Sequence, residues 1–442
     1  MGSQWFSNCR LDFRFDVDRR APFATGGSRW LTFDWDTRRV IDVCVPEEIE
    51  EDEEFVFGAL DKFINDLPLD VVRVEISEKG KLLSSSSELY HDFYYIPYYP
   101  RRTDFPRRLK TIPRSDLTEV DRLGVQVDLT TYTPANGQTK KVVFKYYFTP
   151  NNVSGFWHEI NCVMRMPKHP NIVPFDSLVV EKIDGLDRVV GFTTIYIPGG
   201  TLEENKSRVF KLKYLEQLTG VVDHLNLHLG IVHGDICPWN LLIDETTDTI
   251  QLFDFNSSSK LGWDGNVGNQ DLDGEFAYDK DRNDVKFVIF TVYEIITREF
   301  NFRQTFEPHE LDESMEMNME VWDKDPDVLL DRPVEDYRRV LEKWAKERAV
   351  IDKRIDHYSE ASEPLSWPVL RTVADPKLIT LGEHFRVLGA SRAGFAEAGK
   401  EFIRWERPAT KALPLPAGQR LLATGEIVDE GGDSRSNRPG RR

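Results

Sequence analysis

Apolar and polar positions change their rhythm along the chain. Over residues 1–114 they form short alternating runs rich in aromatics: WLTFDW (30–35) and VVRVEI (71–76) have the period of two that predicts strands. Between them EEIEEDEE (47–54) places seven carboxylates in eight residues, which reads as a solvated connector or a helix start rather than a docking site. The serine-rich stretch 83–86 reads as a loop. Tyr90, Phe93, Tyr94, Tyr95, Tyr98 and Tyr99 then lead into residues 100–114, where six basic residues face one acid. Aromatics beside arginines can stack nucleic-acid bases. An apolar patch with a basic rim, packed on the next domain, is the preferred reading here.

From 120 to about 365 the pattern changes to strands followed by long helical stretches. VQVDLTTY (125–132), a turn at ANGQ (135–138) and KVVFKYYF (141–148) predict a hairpin. FWHEINCVMRM (156–166) has helical spacing, HPNI (169–172) is a turn, and VVGFTTIYI (189–197) predicts a buried strand ended by Pro-Gly-Gly. Leu212, Leu215, Leu218, Val222, Leu225 and Leu229 recur every three or four residues and predict a long helix that Gly230 stops. NLLI (240–243) and IQLF (250–253) are short strands around a DETTD turn, and FVIFTVYEIIT (287–297), apolar nearly all round, predicts a helix buried inside a lobe. Residues 372–428 hold enough Leu, Phe and Trp to pack on the main domain, whereas 430–442 are too polar to fold and read as disordered.

Composition narrows the function classes. The chain has 442 residues and a formal charge of −18, which argues against coating DNA or an anionic membrane. Its four cysteines, Cys9, Cys44, Cys162 and Cys237, form no C-x-x-C pair, so neither a zinc ribbon nor a disulfide framework is indicated. With no long apolar run at the amino terminus or elsewhere, the expectation is an intracellular chain, cytoplasmic or nuclear, without a membrane span.

The candidate chemistry lies in polar residues that interrupt apolar strands. Lys145 stands at the centre of VVFKYYF, where an ammonium needs a carboxylate or an anionic ligand. Glu159 follows fourteen residues later on the next predicted helix. His233-Gly234-Asp235 comes after the long helix, Asn240 is five residues past Asp235, and Asp254 ends the strand IQLF. Hard oxygen donors at the ends of neighbouring strands suit Mg²⁺ completed by phosphate oxygens. A further carboxylate nearby can orient a hydroxyl and take its proton.

The ordered set Lys145, Glu159, HPNIV (169–173), IPGGTL (197–202), HGDICPWN (233–240), DFN (254–256) and Asp284 resembles the eukaryotic protein-kinase fold over about 115–365. It also resembles uncharacterised kinase-like proteins of filamentous fungi with an HGD-type loop. The resemblance implies an α+β, two-lobed fold with a small antiparallel-sheet N-lobe (115–202) and a mostly helical C-lobe (203–371). An N-terminal extension or small domain, α/β or mainly β, would occupy 1–114, with a packed extension at 372–429 and a tail at 430–442. By the same resemblance ATP and Mg²⁺ (or Mn²⁺) are the cofactors. Lys145 would hold the α and β phosphates and Glu159 would pair with it; Asp235 would be the catalytic base, and Asn240 and Asp254 would hold the metal. Gly124, Val143, Thr194 and Leu242 would surround the nucleotide, His233 and Phe255 would stack beneath Val163, and Asp284 would hold the catalytic loop through backbone N–H groups.

Several positions depart from that pattern. Gly124 stands alone where a G-x-G-x-x-G would cover phosphates, Val143 replaces an alanine, Gly234 an arginine, Cys237 a lysine and Asn256 a glycine. H-G-D with Asn five residues on also resembles small-molecule kinases of the aminoglycoside and choline type. The leading function is therefore an ATP-dependent phosphotransferase, a divergent serine/threonine protein kinase. A pseudokinase scaffold and a small-molecule kinase are its rivals. The expected partner is a protein, either substrate or scaffold ligand. Residues 307–336, with twelve acids against Lys324 and Arg332, would steer a basic one if they are more than a solvated loop.

Overall fold

A computed structural model describes residues 14–22, 26–49, 52–92, 94–97, 99–149, 153–265, 276–352, 354–368, 389–409, 415 and 417–429. Predicted features at Phe93, Tyr98, 369–388 and 430–442 lie outside these residues. The chain forms two compact units. One takes the described residues of 154–175 and 197–370, the other those of 10–153, 176–196 and 371–442.

The second unit begins with a five-stranded sheet in linear order: β1 (Phe15–Pro22), β2 (Ser28–Asp34), β3 (Arg39–Val45), β4 (Arg73–Ile76) and β5 (Leu82–Ser86). β3 and β4 run parallel, which requires a crossover, and helix α1 (Glu53–Leu60) provides it. Asp52 accepts the Phe55 backbone N–H at 2.9 Å and Glu53 and Glu54 occupy the first turn, so the carboxylate run is a helix start. Trp30, Ile41, Val43, Val56, Leu60 and Val74 form the core. The serine-rich stretch is a strand, not a loop. Val74 pairs with Ser85 and Glu75 with Ser84, and this pairing with β4 outweighs the weak strand preference of serine at an exposed edge.

After β6 (Tyr95–Pro97), which pairs with residues 389–391, comes a six-stranded sheet. Its order is β7 (Thr111–Pro113), β11 (Phe175–Ile183), β12 (Leu186–Ile195), β10 (Lys140–Tyr146), β9 (Val127–Tyr132) and β8 (Thr118–Gly124). One face carries Val142, Phe144 and Tyr146, each at most 1% exposed. It is covered by the turn after β2 and by the C-terminal extension: Trp405 stacks on Tyr146 with ring centroids 5.0 Å apart and donates to the Tyr99 hydroxyl at 2.8 Å. Tyr99 donates in turn to the Tyr147 carbonyl at 2.9 Å, so the end of the aromatic stretch packs on the following sheet, whereas Tyr90 is exposed. Buried Arg38 and Arg407 both pair with buried Glu119 and Asp128 on the same face.

The first unit is mostly helical. α2 (Val153–Val163) opens it, β13 (Val209–Phe210) precedes α3 (Leu212–Asp223), and α3 continues as a π-helical turn to His228 before Gly230 (φ 67°) ends it. β14 (Ile231–Val232) leads into the loop before the antiparallel pair β15 (Leu241–Asp244) and β16 (Thr249–Leu252). α4 (Asp284–Thr297) is buried along its whole length, with α5 (Asn301–Thr305), α6 (Ser314–Met317) and α7 (Val334–Ile351) after it. The architecture is α+β and protein-kinase-like, an antiparallel-sheet lobe and a mostly helical lobe with added N- and C-terminal extensions.

Candidate active site

Strand pairing assembles the helical unit's part of the site. Leu241 pairs with Leu252, and Phe253 donates its N–H to the Asn240 carbonyl at 3.2 Å, so Asn240 and Asp254 emerge from the same end of the β15–β16 ladder. Asn240 Nδ2 donates to the Asp235 carbonyl at 2.8 Å and to Asp235 Oδ2 at 3.0 Å. That spends the amide's donors on the loop and makes Oδ1 its atom for a cation. Burial pushes the Asp235 carboxyl above its ordinary range; His233 works against this shift and Asp254 adds to it. Asp254 has left-handed backbone (φ 66°, ψ 71°), whereas Asn256 lies in a 3₁₀ turn. The left-handed position of this turn is therefore Asp254, not Asn256.

The loop is held from beneath. Asp284 accepts the backbone N–H of His233 at 2.8 Å, that of Gly234 at 2.9 Å and Asn226 Nδ2 at 2.8 Å. Gly234 has φ 76°, and a Cβ there would lie 2.5 Å from the Ser257 carbonyl, so glycine is a steric requirement at this position. His233 and Phe255 meet edge to face at 4.8 Å. Cys237 is a buried thiol that donates to the Asp235 carbonyl at 3.4 Å. Leu242 is half-buried on β15, bridged to Thr201. Glu159, 2% exposed, lies on α2 in the same unit. Its neighbour His158 bonds the Ser258 carbonyl at 2.8 Å and stacks on Phe276 at 4.1 Å.

The sheet unit holds Gly124, Val143, Lys145 and Thr194. Residues directly opposite in an antiparallel pair share a face. Val143 pairs with Thr194 on one side and Leu129 on the other, while Lys145 pairs with Val127. These side chains share the face opposite Tyr146, and Val143, Lys145 and Thr194 are half-buried. Gly124 also pairs with Val127, so β8 and β9 close through a turn of only Val125 and Gln126. Gln126 (φ 59°) accepts Tyr146 N–H through its carbonyl at 3.0 Å and Phe148 N–H through Oε1 at 3.1 Å. No sequence pattern pointed to Gln126, nor to Arg303 beneath the 233–240 loop; an arginine among aromatics in EFNFRQTF was the only hint of the latter.

Among the described residues no group of three or more His, Cys, Asp or Glu side chains is placed to hold a metal ion. A cation at Asn240 and Asp254 would need phosphate oxygens or water to complete its shell. Among them, too, no helix is long and apolar enough to cross a membrane. Of the twelve acids in 307–336, Glu316 is fully buried and Asp331 accepts Leu212 N–H and the Tyr337 hydroxyl, so part of this stretch serves packing rather than solvent.

Comparison with known proteins points the same way as the fold. Over 102 residues the chain is 31% identical to CBL-interacting serine/threonine-protein kinase 20 of Arabidopsis thaliana, covering 22% of each chain. Over 106 residues it is 32% identical to CBL-interacting protein kinase 5 of Oryza sativa subsp. japonica, covering 22% of this chain and 21% of that one. Serine/threonine-protein kinase nekl-2 of Caenorhabditis elegans is 27% identical over 138 residues, 28% of this chain and 36% of its own. The similarity spans about a fifth of the two plant kinases. No family model matches. The similarities and the protein-kinase-like fold agree with one another.

Proposed function

We propose that the chain is an ATP-dependent phosphotransferase of the protein-kinase type, moving the γ-phosphoryl group of ATP to a hydroxyl, with a serine or threonine of a protein as the acceptor. The carrying observation is the loop His233–Asn240: Asn240 bonds Asp235 twice and emerges beside Asp254, while the backbone N–H groups of His233 and Gly234 rest on Asp284. In this reading Asp235 orients the hydroxyl and takes its proton. Asn240 and Asp254 hold Mg²⁺ or Mn²⁺, a set of hard oxygen donors that fits such a cation and sets positive charge between two carboxylates that repel. Lys145 holds the α and β phosphates with Glu159 as its partner, and Val143, Thr194, Leu242 and Gly124 line the nucleotide. The two-residue turn at Val125–Gln126 favours a second reading, a scaffold that binds nucleotide weakly. Calorimetric ATP titration in magnesium and in EDTA, followed by phosphoryl transfer from labelled ATP to protein acceptors, separates the two. Magnesium-dependent binding with transfer is the expected result. Equal binding in EDTA and no transfer would leave the scaffold.

A further inference from the structure

Beneath the catalytic loop lies a buried ion pair that the proposed reaction does not use. Arg303, 6% exposed on α5, donates Nε–H to Glu294 of α4 at 2.6 Å. Its other arm donates to the Ile236 carbonyl at 3.0 Å, the Phe287 carbonyl at 3.1 Å and Thr291 Oγ at 3.0 Å. Thr291 Oγ also reaches the Ile236 carbonyl at 3.0 Å. Phe287 lies under the guanidinium, 4.9 Å from ring centroid to Cζ. Ile236 is the residue next to Asp235, and the following position holds a thiol, Cys237, where the kinase resemblance expects a lysine.

A buried Arg–Glu pair is seldom the most stable filling of a core, because desolvating two charges offsets most of their attraction. Two methionines would fill similar space. What they could not supply is the planar fork that ties a loop carbonyl, a helix carbonyl, a hydroxyl and a carboxylate at once. We propose that Arg303, aligned by Glu294, is a positioning residue that fixes the Asp235–Ile236–Cys237 backbone from below, supplying anchorage that Cys237 does not give. This rests on the phosphotransferase reading, since it assigns a role in that same loop.

The test uses the full chain with ATP and Mg²⁺, comparing wild type, Glu294→Met/Arg303→Met and Arg303→Lys. The double variant removes both charges, so neither is left buried alone and the fold should hold. ATP affinity should stay within about threefold while kcat falls about 10- to 100-fold, the scale of a slightly misplaced catalytic group. Amide exchange across 235–240 should rise about tenfold, with amides of α7 unchanged. Arg303→Lys keeps the charge without the fork, and should show the same split to a smaller degree; it carries the test if the double variant fails to fold. Wild-type kcat and exchange rates retained within about twofold in the variants would overturn the proposal. Should wild type show no turnover, the phosphotransferase reading falls by itself, and amide exchange still decides whether Arg303 holds the loop.

Discussion

The loop at 233–240 and the hairpin tip at 124–127 are both short turns that the kinase resemblance assigns to phosphate chemistry, yet they are built on opposite plans. Asp284 anchors the loop at two backbone N–H groups, Arg303 and Thr291 hold one of its carbonyls, and its own Asn240 closes it. Its left-handed Gly234 is forced by the approach of Ser257. The tip has one glycine, two turn residues, and a glutamine that ties it back to its own sheet. The loop proposed for acceptor and metal is thus tied at many points, while the tip is reduced to the tightest connection two strands allow. A protein so built should hold nucleotide mainly through the cation and Lys145, and should depend on magnesium more than on backbone N–H groups.

The largest effect expected from this contrast is at Asp235. Asp235→Asn should leave ATP affinity nearly unchanged while phosphoryl transfer drops roughly 100- to 10,000-fold, since a general base acts mainly in the transition state. Parallel turnover and binding measurements check it, and undiminished transfer would remove Asp235 from the reaction. Next comes Asp284→Ala, which deletes the acceptor for three buried donors. It should destabilise the chain by about 3 kcal/mol in urea unfolding. It should also slow transfer, and a loss of stability without a loss of transfer would show that the loop keeps its shape without this floor.

Much of the loop was legible because its chemistry and its pattern coincide. Asp235, Asn240 and Asp254 interrupt apolar runs at spacings that two short antiparallel strands bring together, so the sequence periodicity already places them side by side. The supports were not legible. Arg303, Gln126, Arg38 and Arg407 owe their burial to partners distant in sequence, and arginine or glutamine in an irregular segment ordinarily signals solvent. The serine-rich strand β5 misled for a related reason: its strand character comes from the register with β4, not from its own residues.

A smaller effect should appear at Glu316, packed on the same floor. It is fully buried, and neither carboxyl oxygen meets another residue's hydrogen-bonding group among the described residues. Burial pushes its carboxyl up to about 8, with Glu294 and Asp312 adding to the shift and Arg303 opposing it. A carboxyl held protonated in the fold but ionised in the unfolded chain stabilises fully below its unfolded pKa, near 4.5, and that stability is lost as pH rises through about 8. Glu316→Gln keeps the shape and removes the titration. Between pH 5 and pH 8 the wild type should therefore lose roughly 3 kcal/mol more stability than the variant. Parallel slopes would mean that Glu316 is ionised in the fold and compensated by Arg303, which would tie the loop's support to that charge as well.

The smallest effect is the one that tests the tip directly. Gln126→Gly removes the side chain that binds Phe148 N–H, leaving a buried donor unpaired at a cost of about 1 kcal/mol. The backbone at 126 is left-handed, so glycine fits the turn without strain and the loss should be no larger. If the tie at Gln126 is what keeps the tip from phosphates, freeing it should raise ATP affinity by roughly two- to fivefold, the scale of one modest hydrogen bond. The gain should appear in magnesium, where phosphate is held in place, and calorimetry can resolve it. An unchanged affinity with the same loss of stability would show that the length of the turn, rather than its tether, limits nucleotide cover, and that no single substitution in this hairpin can restore it.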